Sequence, residues 1–121
     1  MVGQTVLIVD DSTDILEVLR GYLEDEGFAV LSTADPFEAI RLAAAHHIDM
    51  VLTDVVMPAL SGPAMADLIR VKRPQLAVLL MSGYHDEISV SYPIIGKPFR
   101  LIELCQMIRD LLDYEPSQPR E

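Results

Sequence analysis

Residues Met50–Pro58 read MVLTDVVMP. Met50, Val51 and Leu52 are apolar and uncharged, the pattern of a short strand buried on both faces. Thr53 and Asp54 end the run, and Val55, Val56, Met57 and Pro58 lead out into a loop. An ionisable carboxylate at the end of such a strand is misplaced for a core. In parallel α/β sheets, ligands lie outside the carboxyl ends of the strands, so Asp54 marks where chemistry would occur. A loop-capping aspartate is the plain alternative, and the rest of the chain decides between the two.

The chain has 121 residues, enough for one domain with a real core and no staples. Half the residues are apolar and Trp is absent, so that core must be mostly aliphatic. We expect the domain to occupy residues 1–114, with 115–121 a flexible tail or linker remnant. No apolar run reaches the roughly 18 residues of a bilayer span. The start, MVGQTVLIVDDS, lacks the basic flank and long apolar stretch of a signal peptide. Cys105 is the single cysteine, which excludes a disulfide framework or a cysteine-based zinc site. These features imply a soluble protein of a reducing cytoplasm. Nine basic residues against 19 acidic ones give a formal charge of −10. That balance disfavours nucleic acid and anionic membrane, because phosphate contacts need clustered Lys or Arg.

Working outward, Thr5–Val9 (TVLIV) is a second β-branched apolar run, and it stops at Asp10-Asp11. Helical spacing follows over Ser12–Glu26, with Ile15, Val18, Leu19, Tyr22 and Leu23 expected inward. Asp11 or Ser12 would cap that helix, and Gly27 fits just past its end. Phe28–Leu31 is the next strand candidate. Asp35-Pro36-Phe37-Glu38 then combines a cap acceptor, Pro at the first helical position and an acid in the first turn. Ala39, Ile40 and Ala43 are expected inward, and His46-His47 close the helix as surface caps rather than metal ligands. Beyond Asp54, Gly62-Pro63 opens a helix with Met65, Leu68 and Ile69 inward, and Pro74 stops it. Ala77–Met81 is a fourth strand ending in Ser82-Gly83, and Pro93–Ile95 a brief fifth ending in Gly96-Lys97-Pro98. The last helix, Phe99–Leu112, packs through Leu101, Leu104, Cys105, Ile108 and Leu111. Cys105 there is most simply a small buried hydrophobe.

This alternation gives βαβ units, hence a doubly wound parallel sheet with helices on both faces. Asp10 and Asp11, Asp54, Ser82 and Lys97 each follow a different strand, and the carboxyl ends of parallel strands share one edge. Three carboxylates, a hydroxyl and an ammonium would therefore converge. Such carboxylates repel one another unless a cation is present, and with a carbonyl and waters they suit Mg²⁺. A metal, an ammonium and a hydroxyl together match a phosphoryl group with spread negative charge. Asp54 itself could serve as a nucleophile forming an acyl phosphate. An internally paired cluster of Lys97 with Asp11 and Asp54 is the bland alternative, but one Lys cannot neutralise three carboxylates.

Over essentially its whole length the sequence resembles a two-component response-regulator receiver domain of the chemotaxis-regulator type. The residues that carry the resemblance are Asp10-Asp11, Asp54 in DVVMP, Gly62, Ser82-Gly83 and Lys97-Pro98-Phe99. It implies a flavodoxin-like, five-stranded parallel sheet in the order 2-1-3-4-5. It further implies Asp54 as phosphoacceptor, Asp11 as direct Mg²⁺ ligand, Asp10 as a ligand through water and the Val56 carbonyl as another. Ser82 and Lys97 would hold phosphoryl oxygens. A sensor histidine kinase or phosphotransfer protein would be the donor, and the output would be altered contact with a downstream protein. Such a domain turns over no external substrate. It is expected either to stand alone or to belong to a larger regulator or hybrid kinase.

The sequence departs from the pattern in two places. Fifteen positions separate Ser82 from Lys97, shorter than the family's usual span by roughly two helical turns, so a shortened fourth helix is expected. The family's switch aromatic lies three residues before the lysine, where this chain has Ile94. Tyr92, about 7 Å along the same strand face, and Tyr84 are the candidate substitutes. Val56 and Tyr84 occupy the places that tune water attack on the acyl phosphate, and neither can orient water, which implies slow self-dephosphorylation. Three other readings remain at this stage. A Mg²⁺-dependent phosphohydrolase lacks a cap insertion here, and a flavin module would find Asp10-Asp11 repelling its phosphate. A receiver-like scaffold that is never phosphorylated would have no need of all three acids.

Overall fold

The computed structural model describes residues 3–83 and 92–113. Tyr84, the expected short fourth helix and the expected tail at 115–121 lie outside the described residues. Five strands form one parallel sheet in the order β2-β1-β3-β4-β5: β1 Thr5–Val9, β2 Ala29–Thr33, β3 Met50–Asp54, β4 Ala77–Ser82 and β5 Ile94–Gly96. Four helices accompany them: α1 Thr13–Asp25, α2 Pro36–Ala45, α3 Gly62–Lys72 and α4 Leu101–Asp113. The doubly wound fold and its strand order are as the sequence implies.

The two faces of the sheet are covered because the central strands carry unbroken apolar runs, Val6–Val9 in β1, Met50–Leu52 in β3 and Ala77–Met81 in β4. In β1, Val6 and Ile8 join one core with Leu52, Leu79, Leu104 and Ile108, beneath α1 and α4. Leu7 and Val9 point the other way, into a second core with Val51, Met65 and Ile69 beneath α2 and α3. Side chains alternate across a strand, so only an unbroken apolar run can serve two cores at once. Full burial of such a side chain is worth about 1.5–3 kcal/mol, and β1 and β3 together supply seven of them, Val6–Val9 and Met50–Leu52.

Local chemistry sets the helix starts. Ser12 caps α1 by accepting from the Ile15 N–H at 3.4 Å. Asp35 caps α2 by accepting from the Phe37 N–H at 2.9 Å, with Pro36 in the first turn. Ser61 caps α3 through the Ala64 N–H at 3.3 Å. Gly27, just past α1, has φ of +100°, a left-handed conformation that favours glycine. These terminations hold each loop short and return the chain to the same edge of the sheet.

Two inward assignments are corrected. Val18 is 57% exposed and Leu68 is 52% exposed, although both fall on apolar helical stripes. Leu16, Leu19 and Leu23 face the core from α1, and Met65, Ala66 and Ile69 do so from α3. Each helix covers the sheet with a stripe narrower than its apolar arc, so the residue at the stripe's edge is left outside. Cys105 is buried on α4 as expected.

The start of α3 runs so close to the end of β3 that it admits no side chain. A Cβ on Gly62 would lie 2.1 Å from the Asp54 carbonyl oxygen and 3.1 Å from Thr53 Oγ1. The Gly62 N–H donates to the Val55 carbonyl at 2.9 Å and fixes that approach. Gly62→Ala is expected to cost about 1–3 kcal/mol, the range for overpacking a close contact. Urea unfolding beside Gly21→Ala, where a Cβ meets nothing within 4 Å, measures this; equal midpoints would contradict it.

Candidate functional site

The carboxyl edge of the sheet gathers the polar residues that the sequence singled out. Asp10 follows β1, Asp54 ends β3, Ser82 ends β4 and Lys97 follows β5. In register, Asp54 lies beside Met81 and Ser82 beside Gly96, which brings the four strand ends level. Asp10, Asp11 and Asp54 each present a carboxylate oxygen within 4.8 Å of the others. The Lys97 ammonium donates to Asp54 Oδ1 at 2.9 Å and stands 3.9 Å from Asp10 Oδ2. The expected convergence is therefore present. Lys97 pairs with Asp10 and Asp54 rather than with Asp11 and Asp54, because Asp11 is turned to solvent.

Each carboxylate has a different environment. Asp10 is 1% exposed. Its Oδ1 accepts from the Ser12 N–H at 2.9 Å, while its buried Oδ2 has no hydrogen-bond partner among the described residues. Burial raises the Asp10 pKa above its ordinary value, and the nearby charges of Asp54 and Asp11 raise it further; the Ser12 N–H and Lys97 oppose them. Asp54 is more open, and its Oδ1 accepts from both Lys97 and the Val55 N–H, the latter at 3.0 Å. One lysine faces three acids, and an acceptor atom sits buried without a donor. That donor set of hard oxygens fits a divalent cation such as Mg²⁺.

Ser82 is buried, and its hydroxyl donates to the Gly83 carbonyl at 3.2 Å, while its own carbonyl accepts from the Lys97 N–H at 2.7 Å. That backbone bond ties the two strand ends together. Val56 is 61% exposed at the mouth of the loop after β3. Tyr92 precedes β5 rather than lying in it, so strand periodicity does not govern its direction. Its ring packs on the cluster of Val55, Ala66, Val78 and Leu80, and its hydroxyl donates to Asp67 of α3 at 2.5 Å. The Arg70 guanidinium lies over the ring, 5.6 Å from its centre. Ile94 is exposed.

Sequence reasoning missed the Tyr92–Asp67–Arg70 contact. Asp67 and Arg70 are three apart on one helix, a spacing that signals a shared face but not what crosses it. Beside Lys97 an apolar cleft is lined by Ile15, Val18, Leu19, Phe99 and Leu101, with Asp14 on its rim. The exposed Val18 belongs to this cleft. No helix among the described residues is long and apolar enough to cross a membrane.

A doubly wound sheet with three acids and a lysine at its switch-point edge defines an acidic pocket of hard oxygen donors beside one ammonium. The family model described as the response regulator receiver domain matches residues 6–109, and the chain belongs to that family. It is 35% identical over 126 residues to the DNA-binding transcriptional regulator NtrC of Rhizobium meliloti, covering 98% of this chain and 26% of that protein. With the transcriptional regulatory protein YcbL of Bacillus subtilis it shares 31% over 124 residues, covering 93% of this chain and 54% of that one. The chain thus spans a quarter to about half the length of these curated relatives. Among solved structures, a response regulator receiver domain protein of Clostridium thermocellum superposes with TM-score 0.85 at 27% identity, covering 91% of this chain and 94% of that one. The receiver domain of the hybrid histidine kinase CckA gives 0.80 at 27%, covering 90% and 99%.

Burial of a charged Asp10 without a full set of partners makes that residue a local liability. Its folded-state pKa is raised, so as pH falls the native form takes up the proton first. Stability from this group is complete below the ordinary carboxylate pKa and is lost as pH rises through the folded one. At neutral pH, Asp10→Asn keeps the acceptor for the Ser12 N–H and removes the charge. We expect a higher thermal midpoint than the parent's in the presence of a chelator. A midpoint below the parent's would refute it.

Proposed function

We propose that this receiver domain accepts a phosphoryl group on Asp54 from a sensor histidine kinase or phosphotransfer protein and thereby changes its affinity for a downstream protein. The observation that carries the reading is the Asp54 carboxylate, accessible at the strand end and held by Lys97 at 2.9 Å within reach of Asp10 and Asp11. In the transfer, an Asp54 oxygen attacks phosphorus and an O–P bond forms. The N–P bond to the donor imidazole breaks, and the released nitrogen regains a proton. Lys97 holds one phosphoryl oxygen by its ammonium, and Ser82 offers a hydroxyl to another once it turns from Gly83.

Asp10, Asp11, Asp54 and the Val56 carbonyl would hold Mg²⁺. The ion supplies positive charge that offsets the three carboxylates and the phosphoryl oxygens. Asp10 Oδ2, buried and lacking a donor, supports this assignment. The domain on this reading is a phosphoacceptor and not an enzyme for an external substrate, and it works in the cytoplasm.

Phosphorylation adds nearly two negative charges where Lys97 now bonds the bare carboxylate. The Val55 N–H bonds the same carboxylate, while the Val55 side chain belongs to the cluster that Tyr92 covers. We assign Tyr92 as the aromatic that answers the change, with Tyr84 the other candidate.

Incubation with Mg²⁺ and a small acyl-phosphate donor, followed by intact mass, is the direct test. One added phosphoryl group is expected, absent in Asp54→Ala and absent with a chelator. Modification of Asp54→Ala to the same extent would overturn the assignment. The adduct is also expected to decay slowly, because the exposed Val56 side chain offers no group to orient water. Val56→Asn should hasten the decay by about tenfold; equal or slower loss from the variant would count against that role.

A further inference from the structure

The cations of this acidic chain are unevenly used. Arg20 pairs with Glu24, Lys97 with Asp54 and Asp10, Arg100 with Glu103, and Arg109 with Glu26. Arg70 is occupied by the Tyr92 ring and by the Pro74 carbonyl. Apart from Arg70, which those two contacts hold without an acid, Arg41, Lys72 and Arg73 are the Lys and Arg side chains with no acidic partner among the described residues. All three belong to α2 and the end of α3. The acids of these helices are turned elsewhere: Glu38 accepts from the Thr33 hydroxyl and Asp67 from Tyr92. Asp49, which shares a cleft with Arg73, is taken by the Thr5 N–H and by His47. On a chain of net charge −10, this face is locally positive.

It is also apolar. A groove between the helices is lined by Ile40, Ala43 and Ala44 of α2 and by Leu68 of α3, with Lys72 and Arg73 on its wall. Leu68 and Val71 are 52% and 76% exposed. The helix dipole accounts for basic groups at the end of α3. It does not account for Arg41 in the middle of α2, nor for two large aliphatic side chains in water.

We propose that the α2–α3 groove docks an acidic amphipathic helix of a partner protein, its aliphatic stripe on Ile40, Ala43 and Leu68, its carboxylates on Lys72 and Arg73 of the groove wall and on Arg41 of the same helix pair. A groove between two helices takes a third through residues spaced three and four apart, and the unpaired cations select the sign of its flanks. A twofold pairing of two copies through this face would set the same three cations against themselves. Nucleic acid would leave the aliphatic floor without a partner. The inference does not rest on chemistry at Asp54.

The test titrates the isotope-labelled full chain with three synthetic peptides and follows backbone amide shifts. The first is a helical peptide with Leu at three- and four-residue spacing and Glu on both flanks. The second has the same residues shuffled to destroy the stripe, and the third has Lys in place of Glu. Saturable shifts confined to 37–45 and 65–73 are expected with the first peptide alone. Lys72→Glu with Arg73→Glu, and separately Leu68→Ser, should each weaken binding about tenfold, with Asp54→Ala binding like the parent. Equal binding of the shuffled peptide, shifts on another face, no shifts, or the same face perturbed by protein concentration alone would each overturn the proposal.

Discussion

A carboxylate buried beside two others, with a single ammonium between them, is the constraint around which the molecule is arranged. Asp10 is almost wholly removed from water, and one of its oxygens has no donor among the described residues. Lys97 reaches the group from a different strand, and its reach depends on the Ser82 carbonyl holding the Lys97 N–H. A parallel sheet whose strand ends lie level is what allows side chains 43 positions apart to meet at hydrogen-bond distance. The aliphatic cores on both faces supply the rigidity that keeps them there.

The fold was legible because two physical signals agreed along the chain. Unbroken apolar runs at Thr5–Val9 and Met50–Leu52 can only be buried on both faces, and the segments between them carry a helical period. The acids that follow these runs located the edge of the sheet where ligands sit. Asp10, Asp11, Asp54 and Lys97 were therefore readable as a group from the sequence. Which acid Lys97 contacts was not, because that depends on the direction of side chains leaving the strand ends.

Helical stripes were located but displaced by part of a turn, so that Leu16 and Ala66, which face the core, were not singled out. Val18 and Leu68 lie at the margins of apolar arcs, and hydrophobic period alone does not say how wide a stripe the sheet will cover. Both exposures carry meaning in three dimensions, one beside the Lys97 cleft and the other on the α2–α3 groove. The Tyr92 contact was hidden for a different reason. It joins a residue outside any strand to Asp67 and Arg70, 25 and 22 positions earlier, and no local pattern reports such a crossing.

The missing side chain at Gly62 makes the reactive strand end and the α3 helix a single mechanical part. With backbone against backbone at that point, there is no flexible side chain to absorb a displacement of Asp54. The outer surface of α3 is thus free to vary in chemistry while its position stays tied to the backbone that carries Asp54. A fold with that linkage can change the side chains on the outside of α3 without rebuilding the pocket, much as a lever keeps its fulcrum when its handle is changed.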